Sequence, residues 1–161
     1  MLSSLLVSIA LFSANAPTTL VKAIMVAEIA YIETDGVVGP FDDDVLDRAF
    51  TEELANAYAA IAGFEPGTPA PLDFDPITGL DDAYCPLRDV VIDDERTNGY
   101  TVVEASFRSQ WCLDDEPDEV RTAVTEVAFD VREIEGEWLI EDLRHSAYGS
   151  LLVLLESAMD R

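Results

Sequence analysis

Carboxylates are the main chemical resource of this chain, and two groups of them lie close enough to act together. The first is Asp73-Phe74-Asp75, with Asp81 and Asp82 shortly behind it. Acids gathered this way are the donor type that a hard cation such as calcium selects. The spacing lacks the alternate ligands and terminal Glu of a helix–loop–helix calcium site, so no metal is assigned. Asp75 also has a structural use, because an Asp followed by Pro76 is suited to cap a short helical turn. Asp73 can likewise accept turn amides. The second group is Asp114-Asp115-Glu116-Pro117-Asp118-Glu119. Asp114, Asp115 and Glu116, on a loop between strands, form an anionic projection able to receive Lys or Arg side chains; the alternative is a solvated loop. Asp73, Asp75, Asp114, Asp115 and Glu116 are therefore the candidate binding residues. Asp42-Asp43-Asp44 reads as the start of a helix, where carboxylates meet the positive end of the dipole.

No catalytic residue is assigned. His145 is the only histidine, and one base without a nucleophile or an orienting partner defines no reaction; a surface or helix-start position is expected for it. Glu104, Glu126 and Asp142 fall on strands, with Tyr58, Tyr84 and Tyr100 as candidate neighbours. A carboxylate that faced a pocket could abstract a proton there, but the sequence does not say which of these point inward. Trp111 and Trp138 are expected in the core or lining a pocket. A glycine-rich phosphate loop, a nucleophile elbow and a zinc pattern are all missing from the sequence, and no cofactor is expected.

The elements that must position these residues are legible as hydrophobic periodicities. Thr19 to Glu33 reads as a helix with Leu20, Ala23, Ile24, Ala27 and Tyr31 on its apolar face. A second helix is expected from Asp42–Asp44 to Gly63, buried through Val45, Leu46, Phe50, Leu54, Ala57, Tyr58 and Ile61. The proline-rich stretch Glu65 to Leu72 reads as a loop. Strands follow over Leu87–Ile92, Tyr100–Trp111, Arg121–Ile134 and Glu137–Arg144, with turns at Asn98-Gly99 and Glu135-Gly136. Ser146–Met159 closes the chain as a helix with Leu151, Leu152, Leu154 and Leu155 apolar. Helices, then an antiparallel meander of about four strands, then a helix make an α+β domain.

The chain has 161 residues, enough for a single core, and 33 acidic residues against nine basic ones give a net charge of -24. That field repels nucleic acid and anionic lipid and attracts basic proteins; solubility in a salty medium is the other reading. Residues 1–16, MLSSLLVSIALFSANA, have the short apolar run and A-x-A ending of a signal peptide, leaving 17–161 as the domain. The lack of Lys or Arg before the run and Pro17 directly after Ala16 weaken the signal reading, whose alternative is an ordinary apolar first helix of a cytoplasmic protein; Pro17 also discourages a cut after Ala16. An uncut segment tethering the domain to a membrane is thus the alternative to release, and the expected location is periplasmic or secreted. In an oxidising compartment Cys85 and Cys112 are expected to pair as a disulfide; two buried thiols are the alternative.

Leu72-Asp73-Phe74-Asp75-Pro76 with Gly79-Leu80-Asp81-Asp82, and Gly136-Glu137-Trp138-Leu139-Ile140-Glu141-Asp142-Leu143-Arg144 leading to Ser150-Leu151-Leu152, are similar to motifs of the bacterial domain-of-unknown-function family 3828. The resemblance implies a curved sheet in a cystatin-like, nuclear-transport-factor-2-like cone, and an envelope protein of a family with immunity-type members. It supplies no catalytic residues, and the lipoprotein cysteine of some relatives is missing here. The expectation is a non-enzymatic, exported module that binds a basic protein. A small-molecule-binding or isomerase-like protein using the pocket of the cone is the alternative.

Overall fold

A computed structural model describes residues 16–34, 39–62, 72–97 and 100–160. The expected signal segment up to residue 15, most of the proline-rich loop and the Asn98-Gly99 turn lie outside the described residues. Five helices and five strands follow in the order α1 (Pro17–Glu33), α2 (Asp43–Ala49), α3 (Glu52–Ala62), β1 (Arg88–Thr97), β2 (Tyr100–Arg108), α4 (Asp118–Arg121), β3 (Thr125–Ile134), β4 (Glu137–His145), β5 (Gly149–Ser150) and α5 (Leu151–Met159). The strands form one antiparallel sheet in sequence order, β1-β2-β3-β4-β5. The architecture is α+β, as the element order predicts.

Period-two alternation decides which side of the sheet is covered. Val103, Ala105 and Phe107 of β2 and Val127, Phe129 and Val131 of β3 are buried, while Glu104 and Glu126 between them are exposed. The buried side receives α1, α2, α3 and α5, whose Ile24, Leu46, Leu54 and Leu155 join it in one core. In β4 the alternation changes phase: Val131 pairs with Ile140 but Asp130 pairs with Asp142. The extra residue at Glu141 is a β-bulge, and it lets both Ile140 and Leu143 face the core. The open side of the sheet carries ion pairs, with the Arg144 guanidinium donating to both Asp130 oxygens at 2.7 and 2.9 Å and Arg132 meeting Glu141 at 2.8 Å.

Four expectations are corrected. The helix expected from Asp42 to Gly63 is two helices. Phe50 leaves helical geometry to bridge Ile140, the Thr51 amide donates to the Ile140 carbonyl at 2.9 Å, and α3 starts anew after Thr51. The strand expected from Arg121 starts only at Thr125, because Asp118–Arg121 turns as α4. The first strand runs past Ile92 to Thr97, so Asp93 and Asp94 are exposed on an edge strand, where charge discourages pairing with other chains. The last helix begins at Leu151 rather than Ser146, capped by the Ser150 hydroxyl, which accepts from the Val153 amide at 3.1 Å. Of its four leucines, Leu151 and Leu155 are buried.

Cys85 and Cys112 form the expected disulfide, with their Cα atoms 5.7 Å apart across a sequence separation of 27. It joins the segment before β1 to the start of the β2–β3 connection. A loop of this length contributes roughly 3–4 kcal/mol by the chain-entropy estimate. Replacing both cysteines with alanine should therefore lower the urea midpoint by an amount equivalent to about 3 kcal/mol, read from equilibrium unfolding by circular dichroism.

Two glycines give a sharper test of packing. Gly79 and Gly136 both have positive φ, +69° and +87°, but a Cβ on Gly79 would lie 2.5 Å from the His145 ring, whereas none of the described atoms lies within 4 Å of one on Gly136. Gly136→Ala should cost only the backbone strain, on the order of 1 kcal/mol, and Gly79→Ala clearly more. Thermal melts of the two variants check the ranking.

Candidate functional site

The Asp75 turn is where the elements meet. Its carboxylate Oδ1 accepts from the amides of Ile77 and Thr78, both at 2.8 Å, and its carbonyl accepts from the Gly79 amide at 2.8 Å. This is the capped turn that Asp75-Pro76 predicts. The Tyr148 hydroxyl donates to the Pro76 carbonyl at 2.6 Å, and the Tyr148 ring stacks between Phe74 and His145, with centroids at 5.1 and 5.4 Å.

Beside this turn opens a cleft of about 680 Å³, walled by Tyr31 of α1, Pro40–Asp42 before α2, Tyr58 of α3 and the segments Phe74–Pro76 and Asp81–Tyr84. Among the described residues, five aromatic rings and four carboxylates line it, and no Lys, Arg or His does. Phe41 stacks on Tyr58 at 4.9 Å, and Gly39 lies so close to Tyr31 that a Cβ would be 2.8 Å from its ring. Asp42 turns its carboxylate back to the Gly39 amide at 2.9 Å instead of capping α2. Asp81 and Asp82 are exposed, and a hydrogen bond from Tyr84 to Asp82 raises the tyrosine's pKa.

Beneath the cleft lies a group that sequence reasoning missed. Glu28 is fully buried on the core side of α1, and neither carboxyl oxygen has a partner at hydrogen-bonding geometry among the described residues. Burial pushes its pKa up to about 9, and the neighbouring Asp75 charge adds to this. Glu28 is thus a neutral acid at pH 7. Tyr58 is likewise pushed up to about 12, by burial and then by Asp75, Tyr31, Glu28 and Asp42. A signal for Glu28 was present: it follows Val21 by seven residues and Ile24 by four, on the same helix stripe. Leu20, Ile24 and Ala27 of the expected stripe are buried, but Ala23 is half-buried and Tyr31 exposed, and Val21, Met25 and Glu28 are buried beside them.

The other expected residues are dispersed. Asp73 is exposed and does not line the cleft. Among the described residues no three His, Cys, Asp or Glu side chains are arranged to hold a metal ion. Asp114 and Asp115 are exposed on the β2–β3 connection, where Arg121 sits 3.6 Å from both Asp114 and Asp118. Glu116 comes nearer, sharing a shallow groove with Asp81, Asp82 and Tyr84. Glu104 and Glu126 face solvent. Asp142 anchors α5, accepting from the Ser150 hydroxyl at 2.6 Å and the Leu152 amide at 2.9 Å. Trp111 donates from its ring to the Pro86 carbonyl at 2.8 Å and lies under the Arg88 guanidinium.

His145 corrects the expectation of a surface histidine. It is buried against Gly79, its Nδ1 accepts from the Ala147 amide at 2.9 Å, and its Nε2 is buried with no partner among the described residues. Burial lowers its pKa, with Asp75 opposing. Burial thus favours its neutral form.

Comparison with known protein families, curated proteins and solved structures finds no match to this chain. The likeness to family 3828 therefore rests on the two short motifs alone.

The raised carboxyl has a signed consequence. A folded pKa near 9 against an ordinary value of 4.5 means the folded state keeps a proton that the unfolded chain releases. The stability this represents is complete below about pH 4.5 and is lost as pH rises towards 9, at most on the order of 1 kcal/mol per pH unit. Glu28→Gln, which keeps the shape without the titration, should flatten that decline. Denaturant unfolding of both proteins at pH 5, 7 and 8.5 measures the difference.

Proposed function

We propose that the chain is a non-enzymatic, exported binding module whose aromatic, acidic cleft receives basic side chains of a partner protein. The observation that carries this reading is the composition of the cleft wall: among the described residues, five aromatic rings with four carboxylates and no basic residue. A cation there gains from ring faces and carboxylates together. The groove through Asp81, Asp82 and Glu116 extends the same chemistry along the surface, as a partner with several basic residues requires. The net charge of -24 adds attraction at long range. Export is supported by the apolar start and, more weakly, by the disulfide. An immunity-type role against a basic secreted toxin is the specific version that the motif resemblance suggests. A long helix on one side of an antiparallel meander likewise suits a cystatin-like cone.

The alternative, an isomerase-like pocket protein, draws on the raised Glu28 carboxyl. Its oxygens are sealed from solvent, however, so they cannot touch a substrate in the cleft, and a general acid or base must come within hydrogen-bond reach of the proton it moves.

The test is binding of a pentalysine peptide by calorimetry. Affinity should fall about tenfold or more between 20 and 200 mM salt, as screening of exposed charge demands. Tyr31→Ala and Asp81→Asn should each weaken it severalfold, while Glu137→Gln, an exposed acid outside the cleft, should leave it within about twofold. Equal losses from all three would place the attraction in the general field and remove the cleft from the account.

A further inference from the structure

Basic residues are scarce in this chain, nine in 161, yet Arg88, Arg108 and Arg121 line one groove of about 440 Å³. The sheet brings two of them together. Arg88 of β1 stands directly opposite Arg108 of β2, and like charges facing each other across a ladder are destabilising. The register makes this placement specific. From the Val91–Ser106 pair, two steps along a regular ladder would set Asp89 opposite Arg108; one extra residue in β1 sets Arg88 there instead. Asp89 takes up that bulge with a φ of +56°, a conformation that costs a residue with a side chain. Backbone strain and charge repulsion thus coincide at one point of the sheet edge.

The three guanidiniums keep donors to spare. Arg88 lies 3.4 Å from the centroid of the Trp111 ring and has no ion pair among the described residues. Arg108 meets a single oxygen of Asp89, its Nε donating at 2.7 Å. Arg121 stays 3.6 Å from Asp114 and Asp118, beyond good hydrogen-bond distance. Both of those carboxylates are almost wholly exposed, so the pairs contribute little. The Arg121 Nε is buried with no partner among the described residues, and this cation therefore reaches the groove partly desolvated and short of acceptors.

We propose that the groove is a second binding site, which takes the carboxylate of a small ligand or of a peptide C-terminus onto its guanidiniums. An anion there offsets the Arg88–Arg108 repulsion and supplies Arg121 with an acceptor. Guanidinium forks match the planar oxygen pair of a carboxylate bidentately. Charge selects among anions: a net charge of -24 opposes a ligand in proportion to its own charge. A monoanion therefore enters where a phosphate dianion, nucleic acid or anionic lipid is repelled more strongly. No residue of this groove lines the aromatic cleft, so the proposal is tested apart from the binding role above.

Trp111 is half-buried in the groove wall and reports on its occupancy. The experiment is fluorescence titration of the full chain at pH 7.5 and constant ionic strength, with Trp138→Phe leaving Trp111 as the sole indole. The probes are N-acetyl-trialanine, its C-terminal amide, acetate and phosphate. N-acetyl-trialanine is expected to give a saturable change and its amide none. Acetate of similar affinity supports a small carboxylate as the ligand; a markedly tighter peptide supports a chain terminus. Arg88→Gln and Arg121→Gln should each weaken binding about tenfold, the scale of a charge-assisted hydrogen bond, while Arg132→Gln, on the open side of the sheet, should stay within about twofold. An equal response to the amide, or tighter binding of phosphate, overturns the carboxylate assignment. Equal losses from all three arginine variants overturn the groove, and no saturable change with either carboxylate overturns the site. The Trp111 indole N–H signal in nitrogen-edited NMR follows the same titrations in wild type, so a poorly folded Trp138→Phe variant leaves the test intact.

Discussion

The turn closed by Asp75 is the point on which the rest of the molecule leans. One carboxylate holds the amides of Ile77 and Thr78, and that local closure sets three distant contacts. It presents the Pro76 carbonyl to Tyr148, packs Gly79 on His145, and brings a negative charge up to Glu28 of α1. The first helix, the end of the fourth strand and the approach to the last helix are thereby tied to a segment that has no regular structure of its own. Side-chain-to-backbone bonds do here what ladders and helical turns do elsewhere, because a loop that runs against the core must satisfy its amides somewhere.

What could be read from the sequence follows how local the determining interactions are. The strands of the meander and the Glu135-Gly136 turn were legible because alternation and positive-φ turn residues are short-range signals; both turn residues do have positive φ. The Asp75 turn was legible for the same reason. The break between α2 and α3 does carry a local signal, since Thr51 followed by Glu52 and Glu53 is an N-cap with an acidic first turn, but the continuous apolar periodicity across it outweighs that signal. The face of α1 was harder to read. Apolar residues surround that helix, so periodicity alone does not choose a side, and packing against the sheet chooses for it. Glu28 and His145 became significant only through partners far away in sequence, Asp75 and Gly79, which no local pattern reveals.

Positive charge in this protein is largely spent at home. Arg108 pairs with Asp89, Arg121 with Asp114 and Asp118, Arg132 with Glu141, Arg144 with Asp130, and Arg88 lies over Trp111. Several of these contacts stitch the open side of the sheet and its edges. The excess of carboxylates is thus left to the rest of the surface, including the cleft, where no basic side chain among the lining residues competes for them.

The disulfide acquires a further meaning from its position. Cys85 directly follows Asp81–Tyr84, one wall of the cleft, and Cys112 anchors it to the chain leaving β2. That wall is therefore ordered by oxidative folding, so that under the proposed role its ordering entropy would not be met during binding. A reduced chain would carry the same carboxylates and rings yet hold them less ready. For the proposed binding role, the redox state of the compartment would then set how much of the cleft's attraction is converted into affinity.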